Sequence, residues 1–175
     1  MAGQSRDVVG PACECVGWIG GGTGSGKTTV ARALASRHGL RLFPIDAFWY
    51  AHTARLNSGR LNAPELTPDE QWLGRPRQEQ ADAFTVTSRD RMLLAMEDLA
   101  LLPKQPSTLV EGPQVLPDLL PRGAVAVFLI PTKEFQRLVL ARRALPPTAD
   151  PRAALENRIE KDQSVAAGAA RSRSN

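Results

Sequence analysis

Eight consecutive residues constrain this chain more than any other feature: Gly21-Gly22-Thr23-Gly24-Ser25-Gly26-Lys27-Thr28. The spacing is G-x-x-x-x-G-K-S/T. Small residues at these positions let successive backbone N–H groups turn inward around phosphate oxygens, and a helix starting at the lysine adds the partial positive charge of its N-terminus. The flanks suit that geometry. Val16-Gly17-Trp18-Ile19 is a short apolar run that reads as a strand, and Lys27 to His38 carries Val30, Ala31, Leu34 and Ala35 at helical spacing, with Gly39 placed as the residue that closes the helix. On such a loop Lys27 reaches the β- and γ-phosphates of a nucleotide and Thr28 ligates Mg²⁺, with Thr29 next in the first helical turn. Gly21 through Thr29 are therefore the expected nucleotide-binding residues, with ATP and Mg²⁺ as the expected cofactors.

Beyond the loop, strands and helices alternate. Leu40 to Ile45 reads as a second strand that tolerates Pro44 near its end or at a sheet edge. From Ala51 to Thr87 the periodicity fails, and Pro64, Pro68 and Pro76 interrupt a polar stretch; a segment of this length suggests an acceptor-binding or lid insertion. Ser88 is placed to cap a helix carrying Met92, Leu93, Met96, Leu99 and Ala100, which ends before Pro103. Thr108-Leu109-Val110 is a third strand, broken by Glu111-Gly112-Pro113. Ala124 to Ile130 is a continuous apolar run of the kind a strand buried on both faces shows. Pro131-Thr132 then opens a helix with Phe135, Leu138, Val139 and Ala141, closed by Arg142-Arg143, and Pro151 starts a last helix with Leu155 and Ile159. The end of the sequence, 166–175, reads as a fraying tail of Ala, Gly, Arg and Ser. The expected fold class is α/β: a three-layer α/β/α domain over 1–175 with a mainly parallel sheet that lacks a final C-terminal strand.

Composition excludes several alternatives. A chain of 175 residues with 42% hydrophobic residues buries a core without disulfide or metal staples. Cys13 and Cys15 stand too close to bridge comfortably, and with only His38 and His52 beside them no zinc site assembles. No signal-peptide pattern is present, and the longest apolar run is far below the roughly 20 residues that span a bilayer, so the expectation is a soluble cytoplasmic protein without membrane partners. The net charge of +4 is an arginine excess, since only 4 of the 22 basic residues are lysine. Arginine grips phosphate and carboxylate in a bidentate way, but no basic patch with interleaved aromatics points to specific nucleic-acid binding.

Two carboxylates are placed to do chemistry at the ends of strands, where open α/β sheets bind ligands. Glu111 closes the third strand and is the candidate for the Mg²⁺ shell, directly or through a water. Asp46 closes the second strand, where it can take the proton of an attacking hydroxyl, and Phe48-Trp49-Tyr50 after it can stack on a ring. Within 51–87, Trp72 with Arg75 and Arg77 reads as a stacking platform and anion clamp, and Arg55 and Arg60 as weaker versions. Met92 and Met96 are core.

The phosphate loop, Ile45-Asp46-Ala47-Phe48-Trp49-Tyr50, Leu109-Val110-Glu111-Gly112 and a helix ending Arg137…Arg142-Arg143 occur in the order in which the uridine kinase and nucleoside or nucleotide kinase branch of P-loop proteins carries such motifs, and the chain resembles that branch over roughly residues 16–145. The resemblance implies that Asp46 is the base toward the acceptor hydroxyl and that Arg137, Arg142 and Arg143, within a lid at 137–150, close over the phosphates. The reading is an ATP- and Mg-dependent phosphotransferase acting on a small-molecule hydroxyl, as monomer or homodimer. Two alternatives accompany it: a nucleotide kinase whose phosphate acceptor is clamped by Arg75 and Arg77, and a nucleotide-binding regulatory protein with little catalysis.

Overall fold

The computed structural model describes residues 16–57 and 66–172; Cys13, Cys15, Arg60 and Pro64 lie outside the described residues. Four parallel strands form one sheet in the order β2-β3-β1-β4, where β1 is Val16–Gly21, β2 Arg41–Pro44, β3 Thr108–Glu111 and β4 Val125–Leu129. The period-2 alternation of the strands sorts the core into two layers. Trp18, Phe43 and Val110 face the long helix α4 (Arg77–Ala100) and pack with its Met92 and Ala95, while Ile19 and Leu109 face α1 (Lys27–His38) and pack with Ala31. The result is the expected three-layer α/β/α arrangement. After β4 the described residues form α5 (Lys133–Leu140) and α6 (Pro151–Ser172) and no further strand.

Register puts the chemistry on one edge. Glu111 is flanked by Ile19 of β1 and Pro44 of β2, so the ends of three strands, and the segments that leave them, converge above the sheet. Pro44 costs little because β2 is an edge strand and Pro44 is its last residue. A side chain at Gly20 forces its neighbours to shift: its Cβ would press on the Val115 carbonyl oxygen and lie 2.6 Å from the Phe128 ring. Glycine lets the loop leave β1 beneath Val115 and Phe128 without that cost.

The structure corrects the sequence reading in five places. The stretch 51–87 is largely helical in its described part: α2, which follows a 3₁₀ turn at Ile45–Phe48, spans Trp49–Asn57, α3 spans Pro68–Trp72, and α4 begins at Arg77. Ser88 is thus not a cap; it lies buried in the middle of α4. The helical spacing of this half of α4 is carried by Gln80, Ala81, Ser88 and Arg91, and buried polar residues leave no apolar periodicity to read. Ala124 to Ile130 is not buried on both faces, because β4 is an edge strand: Val125 is 76% and Val127 55% exposed, while Ala126 and Phe128 pack on the α4 layer. On α5 the buried residues are Gln136 and Leu140, with Phe135 and Leu138 turned outward. Finally, 166–172 continues α6 as helix, consistent with the high helix propensity of its alanines.

Local chemistry explains the helix ends. Thr67 accepts from Glu70 N–H and donates its own N–H back to the Glu70 carboxylate, a reciprocal cap, and Thr132 accepts from Phe135 N–H. Helix α2 is pinned to α4 by Asp98, which bonds His52 Nε2 at 2.9 Å and Arg55, with Arg55 also reaching Glu97.

Candidate active site

The N-terminus of α1 differs from those two. No side chain caps it, no acidic residue occupies its first turn, and its cap is Gly26 at φ 88°, a left-handed conformation that glycine adopts without strain. Its first amides therefore have no intrahelical partner and point into the loop, which is the arrangement that receives an anion. Lys27 is 8% exposed and donates to the Gly22 carbonyl at 2.7 Å. Burial lowers its pKa, against the opposing pull of Glu111, Asp162 and Asp46 and with a further small push from Arg143. Ser25 Oγ is buried without a hydrogen-bond partner.

Thr28 Oγ1 donates to Glu111 Oε1 at 3.0 Å, and Glu111 is itself buried at the end of β3. A hydroxyl and a carboxylate side by side are hard oxygen donors of the kind Mg²⁺ takes together with substrate phosphates. Among the described residues there is no group of three or more His, Cys, Asp or Glu that could hold a metal ion.

Asp46 stands in the 3₁₀ turn after β2 and accepts from Gln114 Nε2 at 2.8 Å. Lys27, Thr28, Glu111 and Asp46 line one cleft of about 140 Å³, together with Arg143. Gly24, Gly26, Thr23 and Thr29 also line it. The other arginines expected as a lid do not: Arg137 makes two bonds to Glu156, at 2.7 and 2.8 Å, and Arg142 is an exposed residue outside the lining.

A wider cleft of about 340 Å³ meets the first at Thr23 and Asp46. Trp49, Trp72 and Arg75 line it, whereas Arg77 bonds Asn157 and Arg55 bonds Asp98 and Glu97, so the Arg75–Arg77 clamp does not form. Of the aromatics after Asp46, Phe48 is stacked on Phe43 at 4.6 Å in the core, Tyr50 is 86% exposed, and only Trp49 reaches the cleft.

Helix α6 contributes side chains that the sequence reading does not single out. From α6, Asp162 accepts the Thr23 N–H at 2.6 Å and is held by Gln136 Nε2 and by Lys161 Nζ, at 3.0 and 2.8 Å. Arg158 and Lys161 line the wider cleft. Residues 158, 161 and 162 lie three and four apart, on one helical face. That spacing is visible in the sequence, but its residues are charged, and hydrophobic periodicity does not mark a charged face.

No protein-family model and no curated protein sequence matches the chain. Among solved structures, it is similar to a shikimate kinase from Acinetobacter baumannii in complex with shikimate, at 19% identity and a TM-score of 0.47, over 88% of this chain and 79% of that one. Among the described residues, no helix is long and apolar enough to cross a membrane.

Proposed function

We propose that the chain is an ATP-dependent phosphotransferase that phosphorylates a hydroxyl group of a small molecule. The observation that carries this reading is the convergence of Lys27, Thr28, Glu111 and Asp46 on one cleft above the carboxyl ends of the strands, with a second cleft opening from Asp46. In this reading the uncapped amides of α1 and the Lys27 ammonium bind the nucleotide phosphates, Lys27 exchanging its bond to Gly22 for one to a phosphate oxygen. Thr28 and Glu111 would hold Mg²⁺, which supplies neutralisation of phosphate charge when bound.

The acceptor lies in the wider cleft with its hydroxyl toward Asp46. The acceptor oxygen bonds the γ-phosphorus, the bond from that phosphorus to the bridging oxygen breaks, and ADP leaves with the electron pair. The hydroxyl proton passes to Asp46, which Gln114 orients through Oδ1. Arg143, lining the phosphate cleft, offsets charge on the group in transfer.

The test is an acceptor screen with ATP and Mg²⁺, read as ADP release, across sugars, nucleosides, nucleotides and hydroxy acids. The expected result is ADP release above the acceptor-free blank for one chemical class, abolished by Lys27→Ala. No stimulation by any class, with ATP bound, would leave a nucleotide-binding protein without this activity.

A further inference from the structure

The wider cleft carries more charge than a neutral acceptor requires. Arg75, Arg91, Arg158 and Lys161 line it against a single carboxylate, Asp46. Lys161 has a partner in Asp162, outside the lining, and Arg75 lies 3.7 Å from Glu79. Arg91 and Arg158 form no ion pair among the described residues. Arg91 is 4% exposed, lies 3.5 Å over the Trp49 ring, and gives its terminal nitrogens to Trp49 O and Thr53 Oγ1. Arg158 lies 3.9 Å over the Trp72 ring. The Nε of each is buried with no acceptor.

A ring face offsets only part of the cost of burying a guanidinium, and a buried cation without an anion is rare. Burial lowers the pKa of both arginines, against the weaker pull of Asp46 on Arg91 and of Asp162 on the half-buried Arg158, so the fold compensates each charge only in part. Neutral polar groups in the same wall are also unfinished: Ser88 Oγ and Gln80 Oε1 are buried, line the cleft through their residues, and have no partner. Several independent groups, from α4 and α6, therefore lack partners around one cavity.

We propose that this cleft between α4 and α6 binds an anionic group, a carboxylate or a phosphate monoester, through Arg91, Arg158 and Lys161, with the Ser88 hydroxyl donating a further hydrogen bond. Resting on the phosphotransferase reading, the acceptor is then a hydroxyl compound that carries a separate anionic group: the anion anchors between the helices and the hydroxyl lies at Asp46, where the two clefts meet. Trp49, Trp72 and Phe84 supply an apolar wall for the body that joins them.

The anion site is testable without a phosphoryl donor, so its failure is distinct from failure of the kinase reading. Of the three tryptophans, Trp49 and Trp72 line the cleft and Trp18 is in the core, so tryptophan emission reports occupancy. The full chain is titrated with benzoate, phenyl phosphate and benzyl alcohol, which share a ring and differ in charge. At least one anionic probe is expected to bind tenfold or more tighter than the alcohol, and the tighter of the two identifies the anion as carboxylate or phosphate. Arg158→Gln and Arg91→Gln are expected to remove that preference, Arg158→Lys to retain part of it, and Lys27→Ala to leave it intact. Equal binding of the three probes, or binding of none, in the wild-type chain overturns the proposal without recourse to any variant. So does an anion preference that disappears in Lys27→Ala and survives in Arg158→Gln, which would locate the anion on the glycine loop.

Discussion

Replacing Lys27 by Met separates the function of the glycine loop from its stability. The lysine amine is buried and touches one protein acceptor, the Gly22 carbonyl, while three carboxylates attract it from nearby. Which effect wins is decided by the sign of the pKa shift. It is downward, so desolvation outweighs Glu111, Asp162 and Asp46 together, and the charge is less favourable in the folded chain than in water. Removing the charge is therefore expected to leave stability unchanged or slightly raised. A gain of about 1 kcal/mol would move Tm by about 2–4 °C in a chain of this size. Nucleotide binding changes in the opposite direction: one hydrogen bond to a charged group is worth about 1.5–3 kcal/mol, so the affinity for ATP with Mg²⁺ falls about ten- to hundredfold. The pH dependence has a definite sign as well. Between the lowered folded pKa and the ordinary lysine value the unfolded chain binds more protons, so wild-type stability gains with rising pH relative to the variant, and the difference closes once both states are deprotonated. Calorimetric titration with ATP and Mg²⁺, and thermal melts of both proteins across alkaline pH, read the two arms. Unchanged ATP affinity would refute the loop assignment. A Tm loss of several degrees would refute the electrostatic argument, by making the ammonium a structural counterion to the three carboxylates.

Asp46→Asn is expected to lower kcat by about a hundredfold or more with ATP affinity unchanged, since positioned proton transfer contributes factors of that order; a variant within threefold of wild type in steady-state assays would make Asp46 a binding group. Arg143→Ala is expected to lower kcat, whereas Arg142→Ala, outside the cleft, leaves it within about twofold; the two variants assayed side by side test that difference, and equal effects would discard it. Gly20→Ala forces a Cβ against Val115 O and Phe128, an overpacking cost of about 1–3 kcal/mol, read as a lower denaturant midpoint; an unchanged midpoint would mean that the Val115 segment yields freely. At Asp98 burial pushes the carboxyl pKa up, but the bonds from His52 and Arg55 outweigh burial and hold it below the ordinary range. A depressed carboxylate stabilises the fold above the unfolded value near pH 4, and that contribution is lost as pH falls through the lower folded value. Asp98→Asn should therefore show a flatter fall in Tm below about pH 4 than wild type, and parallel curves would sink the assignment.

Where the fold was legible, apolar residues spelled the period. The strand at Val16-Gly17-Trp18-Ile19, the helix from Lys27 to its glycine cap at Gly39, and the third strand at Thr108-Leu109-Val110 form where the sequence places them, because short apolar runs and a closing glycine mark their bounds. Ala124 to Ile130 departs from the expectation of burial on both faces because an apolar run does not say whether its strand lies inside a sheet or at the edge; that depends on which strands neighbour it, a long-range property. Glu111 and Asp46 were identifiable as strand-end carboxylates, and register brings them to the loop because β3 lies between β1 and β2.

The misread helix and the missed site residues have one cause. Helix α4 buries Gln80, Ser88 and Arg91, and α6 turns Arg158, Lys161 and Asp162 toward the cleft and loop, each at spacings of three, four or multiples near them. Hydrophobic periodicity is blind to such a face, since the residues that mark it are polar. A helix ordinarily buries apolar atoms because burying polar ones costs free energy, so a helical period written in Gln, Ser, Arg and Lys requires compensation from the facing element or from a ligand. Asp162 receives it from Thr23, Gln136 and Lys161, all within the chain. Arg91, Arg158, Ser88 and Gln80 each keep an atom that receives none, and all four face the cavity between α4 and α6. The polar positions that hydrophobic periodicity passes over are therefore those at which the fold leaves groups for something else to complete.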